Sequence, residues 1–431
     1  MLTGSFPGIW WQPDDPSNRV SGTLLVGYDE LSVDLIGSFT KLHESGHIAT
    51  YPVLHGVTTS GLAVTLVNSQ IAREGMVFGA AGIRHSSLQP AWALMGEHFT
   101  DPIRQTWRRC SIKLERMTAW ASPLGLAQSI EKTADGHLKS LNLHYDVPGN
   151  VDLAIPGATL SIVPSQNIVG DFLHDATITV DVSAVFTMDE PATLEETDQR
   201  FIKPLLNLVV LATQRPTSLV TMDLAAEAET RTETKQSWVE FVARRLAPAL
   251  EEHKRLSPIN ALFLLPELLA AAADGVAQWY AAAVIVERAF DLVSVIRSTT
   301  SLYLDHRFLN AAIAAESYHQ KRLARLAPLD KPSLKQRIQE LVDWGADPLR
   351  GLLPDPNGLA SRASRLRNAL SHGSTGTRNL GIFNTTDELL LVLEFHFLCE
   401  AGFSPTEAAS RLRNASRSYS GLWLRLQLAA E

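Results

Sequence analysis

The sequence predicts an α+β multidomain protein, in which a β-rich N-terminal domain is followed by an all-α helical-bundle domain. In the first part of the chain, apolar and polar residues alternate with the period of a β-strand, most clearly in residues 177–186. From about residue 279 onward, apolar residues recur with the spacing of an α-helix. The period of the apolar residues changes near Thr193, which separates the two parts.

Each further element follows from a similar pattern. Residues 62–67 and 141–145 also alternate, and the frequent Gly and Pro between such runs are typical of an all-β sheet or sandwich with a few helices. Residues 195–213 have a helical period with acidic residues in the first turn, and a short strand follows at 218–222. The later predicted helices are residues 281–297, 308–326, 333–344, 358–372, 386–401 and 405–426. We therefore expect a β-rich domain at 1–195, a mixed connecting region at 196–275 and an all-α domain at 276–431.

The composition excludes several classes of protein. The 431 residues are enough for two or three domains, and 45% apolar with 19% charged residues is typical of a folded chain. The two cysteines, Cys110 and Cys399, form no CxxC motif, which favours a reducing compartment. The N-terminal residues do not resemble a signal peptide, and no apolar run reaches the roughly 18–20 residues of a membrane span. We therefore expect a cytoplasmic protein without a membrane partner.

The charge is unevenly distributed. The net charge is −8, but residues 301–431 hold 16 Lys and Arg against 13 Asp and Glu. Basic residues cluster at Lys321, Arg322 and Arg325, at Arg362, Arg365 and Arg367, and at Arg411, Arg413 and Arg417. These clusters either follow the phosphates of a nucleic acid or are solvated helix faces.

One basic cluster contains the motif Arg367-Asn368-Ala369-Leu370-Ser371-His372, at the end of the predicted helix 358–372. With 28 Arg and 13 His in the chain, Arg-x4-His is expected about once by chance, so its context must decide its meaning. Helical phasing places Asn368 and His372 opposite an apolar stripe, with Arg367 flanking. The stripe consists of Leu359, Ala363, Leu366 and Leu370.

Two interpretations of this helix end stay open. Basic residues in the last turns, followed by Gly373, also complement the helix dipole without any function. A polar pair that faces away from the core is explained better by a partner helix, most simply from a second subunit. Upstream, Glu316 lies in a long Ala-rich apolar stretch, where a carboxylate is costly unless it is paired. We expect Arg367 as its partner; otherwise Glu316 lies on a solvated turn.

Together these segments resemble a known family. Glu316 in FLNAAIAAESYHQ, followed by the Arg-Asn-x-x-x-His motif in SRLRNALSHG, resembles a HEPN ribonuclease domain. The N-terminal residues Gly8-Ile9-Trp10-Trp11-Gln12-Pro13, Val20-Ser21-Gly22-Thr23-Leu24 and Val53-Leu54-His55-Gly56-Val57-Thr58 resemble the N-terminal domain of ApeA-type anti-phage proteins. The resemblance spans nearly the whole chain, apart from about 215–275.

The resemblance implies a metal-independent endoribonuclease that acts in abortive defence against phage. His372 is then the general acid or base, Arg367 holds the scissile phosphate, Asn368 orients the phosphate or the histidine, and Glu316 fixes Arg367. The product is a 2′,3′-cyclic phosphate, and no cofactor or metal is implied. Two such motifs meet in a homodimer or higher homo-oligomer, and the implied partners are an RNA substrate, with tRNA as a candidate, and a phage-derived trigger. The N-terminal domain would sense the trigger or restrain the nuclease. The alternative is a non-catalytic binding module.

A second motif, His43-Glu44-Ser45-Gly46-His47, matches the H-E-x-x-H of zinc peptidases. Zinc chemistry needs both histidines on one helix face, but Ser-Gly is poor in a helix and the flanking residues are strand-like. Glu44-Ser45-Gly46 therefore favours a hairpin turn, and a zinc peptidase remains a remote alternative.

Trp10-Trp11 is either a stacking platform for a base or sugar, or a pair that is half core and half surface. His306, His319 and His396 also lie in the helical region.

Overall fold

The computed structural model describes residues 3–27, 29–39, 49–77, 83–121, 126–146, 148–170, 177–226, 238–244, 261–299, 301–323, 332–371 and 379–414. The strands are β1 (Gly4–Gln12), β2 (Asp15–Val26), β3 (Leu31–Ile36), β4 (Thr50–Thr58), β5 (Ala63–Val77), β6 (Ile83–Gln89), β7 (Trp92–Met95), β8 (Thr106–Leu114), β9 (Leu126–Lys132), β10 (Leu138–Tyr145), β11 (Val151–Ile155), β12 (Ala158–Val169), β13 (Thr177–Thr193), β14 (Leu219–Ala225) and β15 (Val239–Ala243). The helices are α1 (Met117–Ala121), α2 (Leu194–Thr197), α3 (Lys203–Thr213), α4 (Leu265–Ala271), α5 (Gly275–Ser298), α6 (Leu304–Tyr318), α7 (Leu334–Trp344), α8 (Ala346–Arg350), α9 (Leu359–Ser371), α10 (Asn379–Glu400) and α11 (Pro405–Asn414), with π-helical segments at Asp198–Ile202 and His319–Leu323. A β-rich part thus precedes a helical part, which confirms the predicted α+β fold class.

The chain divides into two compact units whose segments are interleaved. The first unit comprises Met1–Leu114, Ala184–Asp198 and Ser218–Lys254, and the second comprises Glu115–Ser183, Gln199–Thr217 and Arg255–Glu431. The division into domains at 1–195, 196–275 and 276–431 stays a prediction; in the grouping by contacts, the segment 115–183 belongs to the second unit. Such grouping depends on contacts between residues far apart in the chain, and local periodicity carries no information about them.

The first unit is built around a closed ring of six antiparallel strands. Strand β1 pairs with β2 and β4, β2 also pairs with β3, β4 also pairs with β5, and β6 closes the ring by pairing with both β3 and β5. Side chains that alternate along these strands fill the interior, as period-two patterns require. Trp10, Leu24, Val33, Leu54, Leu66 and Leu88 are each at most 1% exposed.

The prediction that the strands on either side of Glu44-Ser45-Gly46 pair as a hairpin is wrong. The strands on either side of that segment, β3 and β4, are not neighbours in the ring, because β2 and β1 lie between them. The alternating pattern located both strands, but it does not determine which strands pair. The motif His43-Glu44-Ser45-Gly46-His47 itself lies outside the described residues.

The interior of the ring is closely packed where Trp10 crosses Gly56. The two residues are directly opposite in the pairing of β1 with β4, and a Cβ at Gly56 would lie 2.2 Å from Trp10 Cε3. We expect Gly56→Ala to destabilise the first unit by about 1–3 kcal/mol or more, because a methyl group cannot fit against the buried indole. Urea unfolding followed by tryptophan fluorescence measures this loss. Gly75→Ala in β5 is the matched control, since nothing lies within 4 Å of its added Cβ. Equal unfolding midpoints for the two variants would contradict the packing argument.

Helix α10 is largely buried in the second unit, and α5, α6, α9 and α11 all contact it. Its buried residues include Leu389, Leu393 and Phe397, each at most 1% exposed. The predicted helix 333–344 is confirmed by α7, which starts at a capping box formed by Ser333 and Gln336. Among the described residues, no single helix is both long and apolar enough to span a membrane; only α4 and α5 together, bent by 92°, pass by length and composition.

Candidate active site on helix α9

Helix α9 carries the first residues of the Arg-Asn-x-x-x-His motif, and its N-terminal end is anchored by a carboxylate. The backbone N–H of Gly358 donates to Asp355 Oδ1 at 2.9 Å, and Arg362 forms an ion pair with the same side chain. The hydrogen bond from Gly358 and then the contact with Arg362 lower the pKa of the Asp355 carboxyl. An anion at this end also interacts favourably with the helix dipole.

Arg362 joins α9 to the buried helix α10. Its Nη2 lies 2.5 Å from Oε2 of Glu388, a side chain that is only 4% exposed. A carboxylate so deeply buried requires a neutralising cation, because its desolvation is costly. The ion pair therefore fixes the rotation of α9 and its position along α10.

The buried side chains of α9 lie in its first half. Leu359, Ala360 and Ala363 are fully buried, whereas Leu366 and Leu370 are only half-buried. The predicted apolar stripe is thus confirmed for its first half and only partly covered in its second. Among the described residues, few pack against the second half of α9.

The polar residues of the motif lie on this less covered half. Arg367 and Asn368 are exposed, which agrees with the phasing that places them away from the apolar stripe. His372 lies outside the described residues. The exposed guanidinium and amide are accessible to a ligand.

The expected ion pair between Glu316 and Arg367 is absent from the ion pairs of the described residues. Glu316 is half-buried on α6, and its backbone carbonyl accepts a hydrogen bond from Arg337 Nη1 at 3.5 Å. The α9 cation that binds a buried carboxylate is Arg362, and its partner is Glu388. Helices α6 and α9 contact each other, but Glu316 is half-buried on α6 and Arg367 is exposed on the second half of α9. The sequence does not show which side chains of two neighbouring helices face each other.

Sequence reasoning missed the carboxylates of α10. Arg297 on α5 binds Glu394 at 2.7 Å, with side chains 9% and 0% exposed. Glu400 accepts a hydrogen bond from the Tyr318 hydroxyl at 2.7 Å and pairs with Arg322 at 2.9 Å. Acidic residues six positions apart in an otherwise apolar helix were the available signal, since each needs a partner when buried. These ion pairs link α10 to its neighbouring helical segments: Glu388 to α9, Glu394 to α5 and Glu400 to the end of α6.

A cleft of about 600 Å³ lies between α9 and α10. Leu366 and Ala369 give it an apolar surface, Arg365 and Asn384 add polar groups, and the Arg362–Glu388 pair also lines it. The first turns of α10 expose two further apolar side chains, Leu380 at 69% and Phe383 at 41%. Apolar area and basic groups thus occur together around the second half of α9.

The three other histidines of the helical region have distinct surroundings. His306 is exposed, whereas His319 is 1% exposed and its Nε2 lies 2.5 Å from the Glu340 carboxylate. His396 is buried, and its Nε2 donates to the carbonyl of Leu341. Burial lowers the pKa of His396 to about 4, so its ring is neutral near pH 7. His319 and His396 therefore have structural partners.

The Trp10-Trp11 pair is half core and half surface. Trp10 is fully buried inside the ring, and Trp11 is half-buried. The guanidinium of Arg19 lies 5.0 Å from the centre of the Trp11 ring, and the His98 ring meets it edge-on at 5.3 Å. The chain's own side chains thus cover part of the ring on which a base or sugar would have to stack.

Two family models match the chain. The model described as ApeA N-terminal domain 1 matches residues 5–269, and the model described as Apea-like HEPN matches residues 304–407. The second match includes α6, α9 and α10, and therefore Glu316, Glu388 and the whole Arg-Asn-x-x-x-His motif. No curated protein and no solved structure matches the chain. Because the first match alone covers more than half of the chain, the chain belongs to the ApeA family, and its helical part carries an Apea-like HEPN domain.

Proposed function

We propose that the protein is a metal-independent endoribonuclease that acts in abortive defence against phage. Its Apea-like HEPN domain supports a role as a HEPN-type nuclease or anti-phage effector. The position of Arg367 and Asn368 supports the proposed endoribonuclease activity. Both side chains are exposed on the less covered half of α9, inside the matched domain, and the chain continues directly to His372.

The proposed chemistry uses the 2′-hydroxyl of the RNA as the nucleophile. Its oxygen attacks the adjacent phosphorus while a base removes its proton, and the bond from phosphorus to the 5′-oxygen breaks as an acid protonates that oxygen. A histidine suits both proton transfers near neutral pH, so we assign this role to His372. Arg367 binds the phosphate and stabilises its developing charge, and Asn368 orients the phosphate or the histidine. Glu316 stays a predicted site residue, without an ion pair to Arg367.

A homodimer completes this site in our proposal. The second half of α9 leaves Leu370 half-buried, and α10 exposes Leu380 and Phe383. Exposed apolar side chains around an exposed polar motif are typical of an interface, and two-fold symmetry would bring the motifs of two copies together. One histidine then serves as base and the other as acid. The first unit would sense the trigger or restrain the nuclease.

Purified full-length protein should cleave total RNA in the presence of excess EDTA. A mechanism that needs only His372 and Arg367 is not inhibited by a chelator, and attack by the 2′-hydroxyl leaves 2′,3′-cyclic phosphate and 5′-hydroxyl ends. Sequencing of the fragments, with and without removal of the cyclic phosphate before adapter ligation, identifies those ends. Cleavage that EDTA abolishes, or that leaves 3′-hydroxyl ends, would contradict the proposed mechanism.

A further inference from the structure

We propose that the cleft between α9 and α10 binds one nucleotide of the RNA substrate, next to the scissile phosphate. In this assignment Arg365 binds the phosphate of that nucleotide, and Leu366 and Ala369 contact its base. The inference rests on the proposed ribonuclease function and adds a substrate-binding residue that lies outside the Arg-Asn-x-x-x-His motif.

The size and lining of the cleft suit a nucleotide. Its volume of about 600 Å³ falls in the range of roughly 300–1,000 Å³ found for small-molecule sites. Such sites combine apolar area with a few polar groups that fix orientation. Here Leu366 and Ala369 supply the apolar area. The Asn384 amide, which has no hydrogen-bond partner among the described residues, is available to the edge of a base.

Arg365 is the cation of the cleft that is available to an anion. Arg362 already binds Asp355 and Glu388, so its guanidinium is not available to a ligand. Arg365 is exposed, and within the described part of the chain its guanidinium makes only a long contact, from Nε to the Ser361 carbonyl at 3.4 Å. A guanidinium without a carboxylate, beside an apolar surface, is suited to bind a phosphate.

The position of Arg365 links the cleft to the scissile phosphate. Arg365 precedes Asn368 by three residues, a spacing that places the two side chains next to each other on one face of the helix. Arg367 lies about 200° around the helix axis from Arg365, so the cleft adjoins the motif on the side of Asn368. The cleft would therefore hold the nucleotide beside the bond that is cut.

A second copy of the chain fits the cleft less well than a nucleotide. A helix packed into it would bury the Arg365 guanidinium without a carboxylate, which is costly. The apolar side chains that suit a second copy best, Leu380 and Phe383, are on α10 and are not among the described residues that line the cleft. The exposed guanidinium of Arg365, which has no ion pair among the described residues, thus favours an anionic occupant.

The test measures binding of a fluorescently labelled RNA whose 2′-hydroxyls are all methylated, so that it cannot be cleaved. Fluorescence anisotropy with the full-length protein gives Kd at several salt concentrations. We expect Arg365→Ala to raise Kd by about 10-fold and to reduce the slope of log Kd against log salt by about one, as for the loss of one phosphate contact. Ala369→Trp, which fills the cleft and keeps Arg365, should weaken binding similarly. Arg288→Ala is the matched control, because Arg288 is an exposed arginine on α5, and its Kd should stay within about twofold of wild type.

The outcomes separate this inference from the proposed function. If wild type binds the methylated RNA and Arg365→Ala binds it equally well, the cleft is not a substrate site. The same follows if wild type does not bind, or if either cleft variant changes the sedimentation coefficient instead of RNA affinity, which would identify a protein interface. If wild type binds through Arg365 but leaves unmethylated RNA intact, the nucleotide site stands and the ribonuclease proposal fails.

Discussion

Replacing His372 by alanine is expected to lower the rate of RNA cleavage by about 10²–10⁴-fold, because the reaction loses its proton carrier. Arg367→Ala should have an effect of similar size, since the developing charge on the phosphate loses its guanidinium. Initial rates on a defined single-stranded RNA measure both effects. We expect strong expression of the wild-type protein to be toxic to cells. Either replacement should abolish that toxicity.

Two control variants show whether a loss of cleavage comes from the motif itself or would follow the removal of any exposed histidine or arginine. His306 is an exposed histidine and Arg413 an exposed arginine of the same unit, so His306→Ala and Arg413→Ala should retain nearly full activity. Arg367 is itself exposed, so its replacement should change the free energy of unfolding by no more than about 0.5 kcal/mol. Full cleavage and full toxicity in both motif variants would show that this motif is not the active site.

Glu394→Ala is expected to destabilise the second unit by about 3–5 kcal/mol. The side chains of Arg297 and Glu394 are 9% and 0% exposed and lie 2.7 Å apart, so the variant leaves a buried guanidinium without this carboxylate. Urea unfolding followed by far-ultraviolet circular dichroism measures the loss. The double variant Arg297→Met with Glu394→Leu should lose much less, because apolar residues of similar size often replace a buried ion pair at little cost.

A surface ion pair provides the comparison. Arg350 and Asp343 also form an ion pair, but their side chains are 38% and 48% exposed. Solvent screens such a pair, so Asp343→Ala should cost no more than about 1 kcal/mol. Equal losses for Glu394→Ala and Asp343→Ala would mean that burial does not determine the strength of the α10 ion pairs.

The start of α7 could be predicted from sequence, whereas the start of α10 could not. Ser333 and Gln336 form a capping box, a local signal that fixes the first turn. Helix α10 begins at Asn379, seven residues before the predicted start at 386. Its first turns contain Gly381 and two threonines, which are weak helix formers. Burial of Ile382, Thr385 and Thr386 overrides that preference, and such burial depends on tertiary contacts.

Some features of the candidate site could likewise be predicted from sequence, and others could not. Helical phasing within one segment was sufficient to expect Arg367 and Asn368 away from the core, and both are exposed. The expected pair of Glu316 with Arg367 is not among the ion pairs of the described residues, although α6 and α9 contact each other, because local spacing does not show which side chains of two helices face each other. Glu388, which does bind an arginine of α9, was present in the sequence as a charge in an apolar helix, but its partner could not be read from local spacing.

The closed ring of the first unit has a consequence for how other chains can approach it. Among the described residues, each of its six strands has a partner on both sides over part of its length, so these doubly paired stretches are closed to strand addition. Open edges are where sheet proteins aggregate and where many domains capture extended peptides through main-chain hydrogen bonds. Copies of the ring therefore cannot join edge to edge through these stretches. A protein that binds there must be recognised by the shape and charge of the outward side chains.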